Sequence, residues 1–431
     1  MHEVGKLRDT IVALSSGAPP AAIGVVRVSG PLAHDALQTL AARIPEPRRA
    51  SVALLRDGTG DILDEALILW FPGTRSATGE DLVEFHCHGG RAVVEAIQRE
   101  LTAISGVRAA QPGEFTRRAF ANGRIDLAEA EGLGDLLAAE TEMQRASAIA
   151  NAQGAVSSKV AQWRDEVLRL SALVEAALDF SDEGDVDDLP ESFSRNMRAF
   201  REDLSSWLER PRSEKLGEGF RVALAGPPNA GKSTLFNALV ESEAAITSPT
   251  AGTTRDAIER RVAISGVPFS FVDTAGLRDA SDDTIEMIGI DRARAEIDRA
   301  DLVLWLGDEG EGPDGAWEVA ARSDAPDFRP KKPGAHTLSA LTAEGLSDLK
   351  HALVKVAYGA LPKPGEAALN ARQHAVLSEA REALAGAAQM RDPLLVAEEL
   401  RRVRLAFDRV LGKTTTEDML DALFGRFCIG K

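Results

Sequence analysis

Residues 226–234 have the types and the spacing of a phosphate-binding loop. They read Gly-Pro-Pro-Asn-Ala-Gly-Lys-Ser-Thr and match G-x-x-x-x-G-K-[ST], between the strand-like run FRVALAG and the helix-like run TLFNALV. The two glycines let the backbone wrap around phosphates, while exposed N–H groups and a helix N-terminus supply positive potential. Lys232 would reach the terminal phosphates, and the Ser233 hydroxyl would ligate Mg²⁺. The loop therefore predicts a nucleotide site contacted by Asn229, Ala230, Gly231, Lys232, Ser233 and Thr234.

Two further motifs indicate a GTPase. Asp273-Thr274-Ala275-Gly276 follows the strand-like run PFSFV and resembles the DxxG motif, in which Asp273 would hold Mg²⁺ through water and Gly276 would sense the γ-phosphate. Between the two motifs, residues 252–256 read GTTRD and resemble a first switch loop, with Thr254 as the second hydroxyl ligand of Mg²⁺. Contacts from a γ-phosphate that order two loops are the physical basis of GTPase switches. The order of the motifs favours a switch GTPase over an ATP-dependent P-loop enzyme.

The usual Asn-Lys-x-Asp motif that reads guanine is missing. Its best-placed substitute is ARSD at residues 321–324, which keeps Asp324 for the guanine N1–H and amino group but lacks the asparagine. Ser339, Ala340 and Leu341, followed by TAEGL, resemble the next base-contacting loop. The alternative is that Asp324 is an ordinary loop carboxylate. We expect GTP to be preferred over ATP, with weaker base affinity than a complete motif gives.

The residue that orients the attacking water is not fixed by these motifs. A small GTPase of the Ras type uses a glutamine directly after DxxG, and here that position is Leu277. Four acidic residues in the following segment could supply the acceptor instead, and each is also explained as a solvated charge: Asp279, Asp282, Asp283 and Glu286.

Three regions of different pattern must position these residues. Up to about Ala121, short β-branched runs alternate with helix-like ones, which predicts a small α+β domain. Residues 126–180 are rich in Ala, Leu and Glu and carry an apolar stripe at helical spacing. The stripe consists of Val156, Val160, Trp163, Val167, Leu170, Val174 and Ala177. An amphipathic segment from Phe193 to Leu208 follows.

From about Gly217 to Gly359 strands alternate with helices, which predicts a parallel sheet. The remainder is helical again, with Leu400, Val403, Phe407 and Val410 on one face. We therefore predict a multidomain protein: an α+β N-terminal domain at 1–121 and a helical domain at 122–216 and 361–431. A Ras-like α/β P-loop GTPase domain at 217–360 would be inserted into the helical domain.

Composition limits the class of protein. The chain has 431 residues, 44% of them hydrophobic, and a net charge of −17, which opposes long-range attraction to nucleic acid. Contact with RNA would need a partner or a local basic patch, for which the candidates are Arg401, Arg402, Arg404 and Arg409. A solvated helix face explains these arginines equally well.

No apolar run reaches the roughly 20 residues of a membrane span. The start, MHEVGKLRDT, lacks a secretory signal, so we expect a cytoplasmic protein without membrane contact. Cys87 and Cys428 are in no metal-ligand spacing.

Taken together, the motifs resemble the tRNA modification GTPase family MnmE, also called TrmE. The resemblance covers essentially the full chain and rests on GPPNAGKST, AGTTRD, DTAGLR with EMIGI, TGEDLVEFHCHGG, PGEFTRRAFANGRIDLAEAE and the C-terminal FCIGK. It implies a homodimeric, K⁺-stimulated GTPase that works with an FAD-containing partner, MnmG (GidA), in a heterotetramer or larger complex. The pair would install a carboxymethylaminomethyl or aminomethyl group at C5 of the tRNA wobble uridine, from a formyl- or methylene-tetrahydrofolate donor, with ammonium or glycine as the nitrogen source.

The resemblance also implies roles for single residues. K⁺ would be held by Asn229, Ser248, Thr250 and Thr253, with Ser248 and Thr253 also near GTP. Glu286 would orient water, allowing for one extra residue in ASDDTIE. Tetrahydrofolate would contact Arg27, Glu84, Arg124 and Lys431, although Arg124 stands where relatives commonly carry lysine. Cys428 would be catalytic, and an ordinary thiol is its alternative.

The same nucleotide motifs also allow an alternative function: a GTPase that times ribosome assembly, without one-carbon chemistry. The segments FCIGK and TGEDLVEFHCHGG argue against it, because they belong to the resemblance described above. Binding of folate would distinguish the two functions.

Overall fold

The computed structural model describes residues 9–179, 189–241, 243–246, 259–274, 293–414 and 416–431. The chain divides into two compact units, one formed by residues up to Gly134 together with Asp408–Lys431 and the other by Asp135–Phe407. Residues 408–431 therefore lie in the N-terminal unit, whereas we predict them as the end of a helical domain formed by residues 122–216 and 361–431. Their backbone pairs with residues 112–115, which the sequence pattern could not show.

The first unit is built on a six-stranded sheet with the order β3-β4-β5-β2-β1-β6. Only the β1–β6 pair is parallel. The strands are β1 Thr10–Leu14, β2 Ile23–Ser29, β3 Ser51–Arg56, β4 Ile62–Phe71, β5 Leu82–His88 and β6 Val107–Ala109. The helices are α1 Ala33–Ala41, α2 Arg91–Ala103, α3 Glu114–Ala121 and the first part of α4 Leu127–Ala138. A last helix, Glu417–Phe424, lies near the C-terminus.

Buried and less buried side chains alternate along two neighbouring strands, which gives this sheet two different faces. In β2, Val26 and Val28 are fully buried, and in β5 the same holds for Val83 and Phe85. These side chains pack with α1 and α2 in one core. Because side chains alternate along a strand, the residues between them lie on the opposite face. The residues placed there include Arg27, Glu84, His86 and His88, and Arg27 stands directly opposite Glu84 in the ladder.

The second unit contains the long helices. They are α5 Glu142–Ala152, α6 Ala155–Asp179, α7 Glu191–Leu208, α8 Glu214–Glu218, α9 Lys232–Glu241, α10 Leu346–Ala360, α11 Ala371–Ala387 and most of α12 Pro393–Val410. The predicted stripe from Val156 to Ala177 is buried on α6, and Leu400, Val403 and Phe407 are buried on α12. These two helical predictions are confirmed. Trp163 and Phe407 stack with ring centroids 5.8 Å apart, and the indole N–H of Trp163 donates to Asp203 at 2.7 Å.

A seven-stranded sheet in the same unit has the order β13-β12-β11-β7-β10-β9-β8. Its strands are β7 Phe220–Ala225, β8 Ala244–Ala245, β9 Glu259–Ile264, β10 Val267–Asp273, β11 Leu302–Trp305, β12 Trp317–Ala320 and β13 His336–Thr337. The prediction of a parallel sheet is wrong for one edge, since β9 runs antiparallel to both β10 and β8. For β9 and β10 the cause is the turn Ser265-Gly266, whose φ values of 51° and 79° close a two-residue hairpin.

No helix in the part of the chain that the structure describes is long and apolar enough to cross a membrane.

Candidate functional site: a phosphate loop and a second polar site

The phosphate loop leaves the carboxyl end of β7, in the middle of the sheet. β7 is flanked by β10 and β11, both parallel to it, which is where open α/β sheets bind ligands. The loop needs left-handed backbone at three positions: φ is 147° at Gly226, 63° at Asn229 and 93° at Gly231. Glycine adopts such angles without strain, and asparagine tolerates the left-handed region better than most residues. The sequence therefore meets the geometry of the loop.

Lys232 begins α9 and lies inside the loop. The residue is only 5% exposed, and its Nζ donates to the carbonyl oxygens of Gly226 at 2.9 Å and Pro227 at 2.7 Å. An ammonium group held at the mouth of a loop of backbone amides is positioned to attract phosphate oxygens. Ala230 packs partly buried against the sheet core, and Thr234 is exposed on α9.

Two of the three residues predicted to hold magnesium, Ser233 and Asp273, meet where α9 begins and β10 ends. Ser233 Oγ donates to Asp273 Oδ2 at 2.7 Å, because Asp273 ends β10 opposite Leu224 of β7. Thr274 fixes the same end of the strand, since its hydroxyl donates to the carbonyl oxygen of Leu224 at 2.7 Å. A hydroxyl beside a carboxylate is an all-oxygen donor pair of the kind Mg²⁺ prefers. These residues fit a magnesium ion shared with phosphate.

The two predicted base-contacting loops are neighbours at the ends of β12 and β13. Leu338 N donates to Ala320 O and Ser323 N donates to Leu338 O, both at 3.0 Å. Asp324 is exposed, whereas Ser339 is fully buried with its Oγ accepting from Thr342 N at 3.1 Å. Ala340 packs partly buried against the core and Leu341 is exposed.

The first of these loops also touches the phosphate loop. A Cβ placed on Gly231 would lie 3.5 Å from Cγ of Arg322, whose φ is 65°. The base-reading candidate and the phosphate loop are therefore in contact distance of each other, as one nucleotide site requires.

Several predicted residues fall outside the described part of the chain. They are Ser248, Thr250, Thr253 and Thr254 of the first switch, Ala275 and Gly276 of the DxxG motif, and Glu286. Their roles stay predictions.

A second polar site lies on the face of the first unit's sheet that is opposite to the core with α1 and α2. Arg27 donates to Glu84 Oε1 from Nε at 3.0 Å and from Nη2 at 2.7 Å. The other carboxylate oxygen, Oε2, lies 3.3 Å from Nε2 of His86. The guanidinium of Arg27 also lies over the ring of Phe115, 5.6 Å from its centroid. The carboxylate is thus clamped between a guanidinium and an imidazole.

The C-terminal residues dock beside this pair through the same phenylalanine. Phe115 N donates to Lys431 O at 3.2 Å, and Ser15 Oγ donates to Gly430 O at 2.8 Å. Pro112 and Ile429 form an antiparallel bridge. Gly430 has φ of 93°, and a Cβ there would lie 2.1 Å from the carbonyl oxygen of Leu14. Only glycine fits, so the tail is held in one place.

Two other predicted residues of this site, Cys428 and Arg124, are placed by contacts other than those of the Arg27–Glu84 pair. The thiol of Cys428 is free and exposed, and the backbone carbonyl oxygen of the same residue accepts a hydrogen bond from Gly113 N at 3.4 Å. Arg124 packs on the loop at Gly79, where an added Cβ would lie 2.9 Å from its Cγ. The structure therefore brings Arg27, Glu84 and the tail together through Phe115, while Arg124 is placed by the Gly79 loop.

A buried ion network supports the site, and the sequence reasoning missed it. Arg118 is 1% exposed and donates to Asp9, Glu80 and Glu114. Burial raises the pKa of Glu114, but hydrogen bonds from Arg108, Arg118 and the amide of Gln111 outweigh it and hold the pKa below its usual value. Glu80 belongs to TGEDLVEF and Arg118 to PGEFTRR, so the two segments that carry the family resemblance are also joined by an ion pair.

Two candidate tRNA-binding arginines are engaged within their own helix. Arg401 donates to Glu398 and Arg402 to Glu399, at three-residue spacing on α12. Such pairs neutralise part of the positive charge, which favours the interpretation as a solvated helix face.

Family models match nearly the whole chain. One described as MnmE helical domain matches residues 127–428, and one described as GTP-binding protein TrmE N-terminus matches residues 10–124. The tRNA modification GTPase MnmE of Erythrobacter litoralis (strain HTCC2594) is 60% identical, over 98% of this chain and 100% of that protein. The chain belongs to the MnmE family. The MnmE protein of Novosphingobium aromaticivorans is 58% identical, over 99% of this chain and 100% of its own length.

Solved structures with local similarity include the G domain of the T. maritima FeoB iron transporter, 24% identical over 32% of this chain and 98% of that one, with a TM-score of 0.22. Era in complex with MgGDPNP and nucleotides of 16S ribosomal RNA is 23% identical over 41% of this chain and 69% of that one, with a TM-score of 0.24. Membership in the MnmE family confirms the predicted family and GTPase class. Together with the two mixed sheets and the long helices, it also confirms the predicted multidomain fold class.

Proposed function

We propose that the chain hydrolyses GTP at residues 226–234 as part of tRNA modification. The observation that carries the proposal is the Ser233–Asp273 contact of 2.7 Å beside the enclosed ammonium of Lys232. Phosphoryl transfer needs little covalent chemistry from the protein, so catalysis depends on positioning and on charge. A bound Mg²⁺ would neutralise charge on the β- and γ-phosphate oxygens. Lys232 and the loop amides would stabilise the charge that develops as the terminal phosphate leaves.

The proposal includes stimulation by K⁺ in a dimer of GTPase domains. Asn229 is the described member of the predicted K⁺ ligands, and its left-handed backbone places it on the phosphate loop. A monovalent cation beside the β- and γ-phosphates would act as an arginine finger does, a contribution of roughly 4–7 kcal/mol in arginine-finger systems. Ser248, Thr250 and Thr253 would complete the ligand set, and Glu286 would orient the water.

Turnover in K⁺ and in Na⁺ tests this part directly. We expect the purified chain to hydrolyse GTP much faster in K⁺, and Asn229→Ala to lose most of that difference while still binding GTP. Equal turnover in the two salts would remove K⁺ from the mechanism and leave the magnesium site in place.

The proposal also gives the first unit a tetrahydrofolate donor. The carboxylate of Glu84, held by Arg27, can accept from the amino-pyrimidine edge of a pterin, and the guanidinium group of Arg124 suits the carboxylates of a folate. Support comes from the Arg27–Glu84 pair at 2.7 Å and from the tail docked beside it, which carries Lys431 and Cys428. An FAD-containing partner, MnmG, would carry the redox chemistry, with two copies of this chain in the complex.

Mass spectrometry of wobble uridines tests the whole function. Cells lacking this chain should lose the aminomethyl-type group at C5. The wild-type gene should restore it, whereas Lys232→Ala and Glu84→Gln should not. An unchanged uridine in the deleted cells, together with accumulation of immature ribosomal RNA, would instead support the ribosome-assembly function. A saturable rise in melting temperature on adding 5-formyltetrahydrofolate would support the one-carbon function.

A further inference from the structure

His86 contacts the carboxylate of Glu84 from the side that Arg27 leaves open. Both donors of Arg27 point to Oε1 of Glu84, whereas Nε2 of His86 lies 3.3 Å from Oε2. His86 and Glu84 are two residues apart on β5, so their side chains share one face of the sheet. Opposite His86 in the neighbouring strands stand only Leu67 and Val25, both apolar.

The hydrogen-bonding capacity of the two groups fixes the direction of this contact. An ionised carboxylate only accepts hydrogen bonds, so Nε2 of His86 must carry a hydrogen atom and donate it to Oε2. The imidazole therefore holds the carboxylate plane in one orientation. Arg27 alone, donating twice to the same oxygen, would leave the second oxygen free to rotate.

We propose that His86 is a positioning residue for ligand recognition by Glu84. By donating from Nε2, it holds the carboxylate in the orientation that meets the amino-pyrimidine edge of a pterin. This inference rests on the proposed folate function of the same site. His86 acts through Glu84 and need not touch the ligand itself.

Calorimetric titration of the full chain with 5-formyltetrahydrofolate tests the proposal. His86→Leu removes the donor and should weaken binding about tenfold, the size expected when one hydrogen bond to a charged group is lost. His86→Gln keeps an N–H donor at a similar reach and should stay within about threefold of the wild type. Recovery by glutamine separates a donor role from a simple packing role.

His88 provides a matched control on the same strand. It is also a histidine paired with a carboxylate, Asp64, at 2.7 Å, but its side chain is 75% exposed, against 27% for His86. His88→Leu should leave folate affinity unchanged within about twofold. Melting temperatures without ligand show whether each variant is folded.

A double substitution tests whether His86 acts through Glu84. In a Glu84→Ala background the acceptor is gone, so His86→Leu should cost no further affinity. An equal loss in both backgrounds would contradict the positioning role, as would a His86→Leu variant that binds as tightly as the wild type. If the wild type itself shows no saturable binding, the folate function fails and this inference fails with it.

Discussion

The nucleotide site and the Arg27–Glu84 site are built in opposite ways. The first is centred on one continuous loop, in which residues 226–234 supply backbone amides, an ammonium and a hydroxyl, and the distant Asp273 joins them at 2.7 Å. The second takes its residues from separate segments: Arg27 and Glu84 are 57 residues apart, and Ser15 and Gly430 are 415 apart. Local sequence therefore determines the first site, whereas tertiary folding determines the second.

This difference predicts that the two sites respond differently to substitution. The nucleotide site depends on a few groups that contact phosphate directly, so replacing one of those side chains should have the largest effect on it. The second site depends on backbone docking and on buried charges, so substitutions away from the ligand should also weaken ligand binding there.

The largest effect is expected at Lys232. Lys232→Ala removes the enclosed ammonium, and turnover of GTP should fall at least about a hundredfold, the usual cost of losing one charge-stabilising donor. Steady-state hydrolysis and calorimetric GTP binding measure it. Lys332→Ala, at an 85% exposed side chain, is the matched control and should be neutral.

The same variant tests whether the two sites are separate. Affinity for 5-formyltetrahydrofolate should stay within about twofold of the wild type in Lys232→Ala, since the loop and Glu84 belong to different compact units. A parallel loss of folate affinity would show that the sites depend on one another.

How far the sequence alone could predict each site follows from the same contrast. The phosphate loop and Asp273 were found because motif and strand stand next to each other in the chain. Phe115 and Arg118 were missed because they act through partners far away in the chain, Phe115 through Lys431 of the docked tail and Arg118 through Asp9 and Glu80. His86 lies only two residues from Glu84 on β5, but its contact gains a role only because Arg27 of β2 stands opposite Glu84. The antiparallel edge was missed because the two-residue turn at Ser265 was not recognised, although the helical stripes on α6 and α12 were read correctly.

The next largest effect is expected from Gly430→Ala, which should weaken folate binding at the second site by displacing the backbone of the docked tail. The new Cβ would lie 2.1 Å from Leu14 O at a φ of 93°, so the tail must shift. Strain of about 2 kcal/mol corresponds to roughly thirtyfold weaker folate binding if the docked tail completes the site.

Gly60→Ala is the control for this strain, because its φ is 95° but no atom lies within 4 Å of the added Cβ. It should bind folate as the wild type does. Faster hydrogen exchange of the Phe115 amide, which donates to Lys431 O, in Gly430→Ala alone would show directly that the tail has moved.

A smaller effect is expected for base recognition. Asp324→Ala should weaken GTP binding about tenfold and leave ATP binding unchanged, because the carboxylate would pair only with guanine. Competition calorimetry measures both nucleotides. Asp314→Ala, which removes an exposed carboxylate in the loop before β12, should change neither. Equal losses for GTP and ATP in Asp324→Ala would make Asp324 an ordinary loop residue.

The smallest effect concerns the ion network under the second site. Glu114→Gln should lower the free energy of unfolding by about 1 kcal/mol at pH 7, since two arginines lose their charged partner. The pKa of Glu114 is depressed in the folded chain, so its stabilising contribution is present above the unfolded value of about 4.5 and is lost as pH falls through the folded value. The melting temperatures of the two proteins should therefore converge as the pH falls below the folded pKa of Glu114. A difference that persists there would mean that Glu114 acts by packing rather than by charge, and the contrast between a directly bonded nucleotide site and a charge-supported second site would weaken.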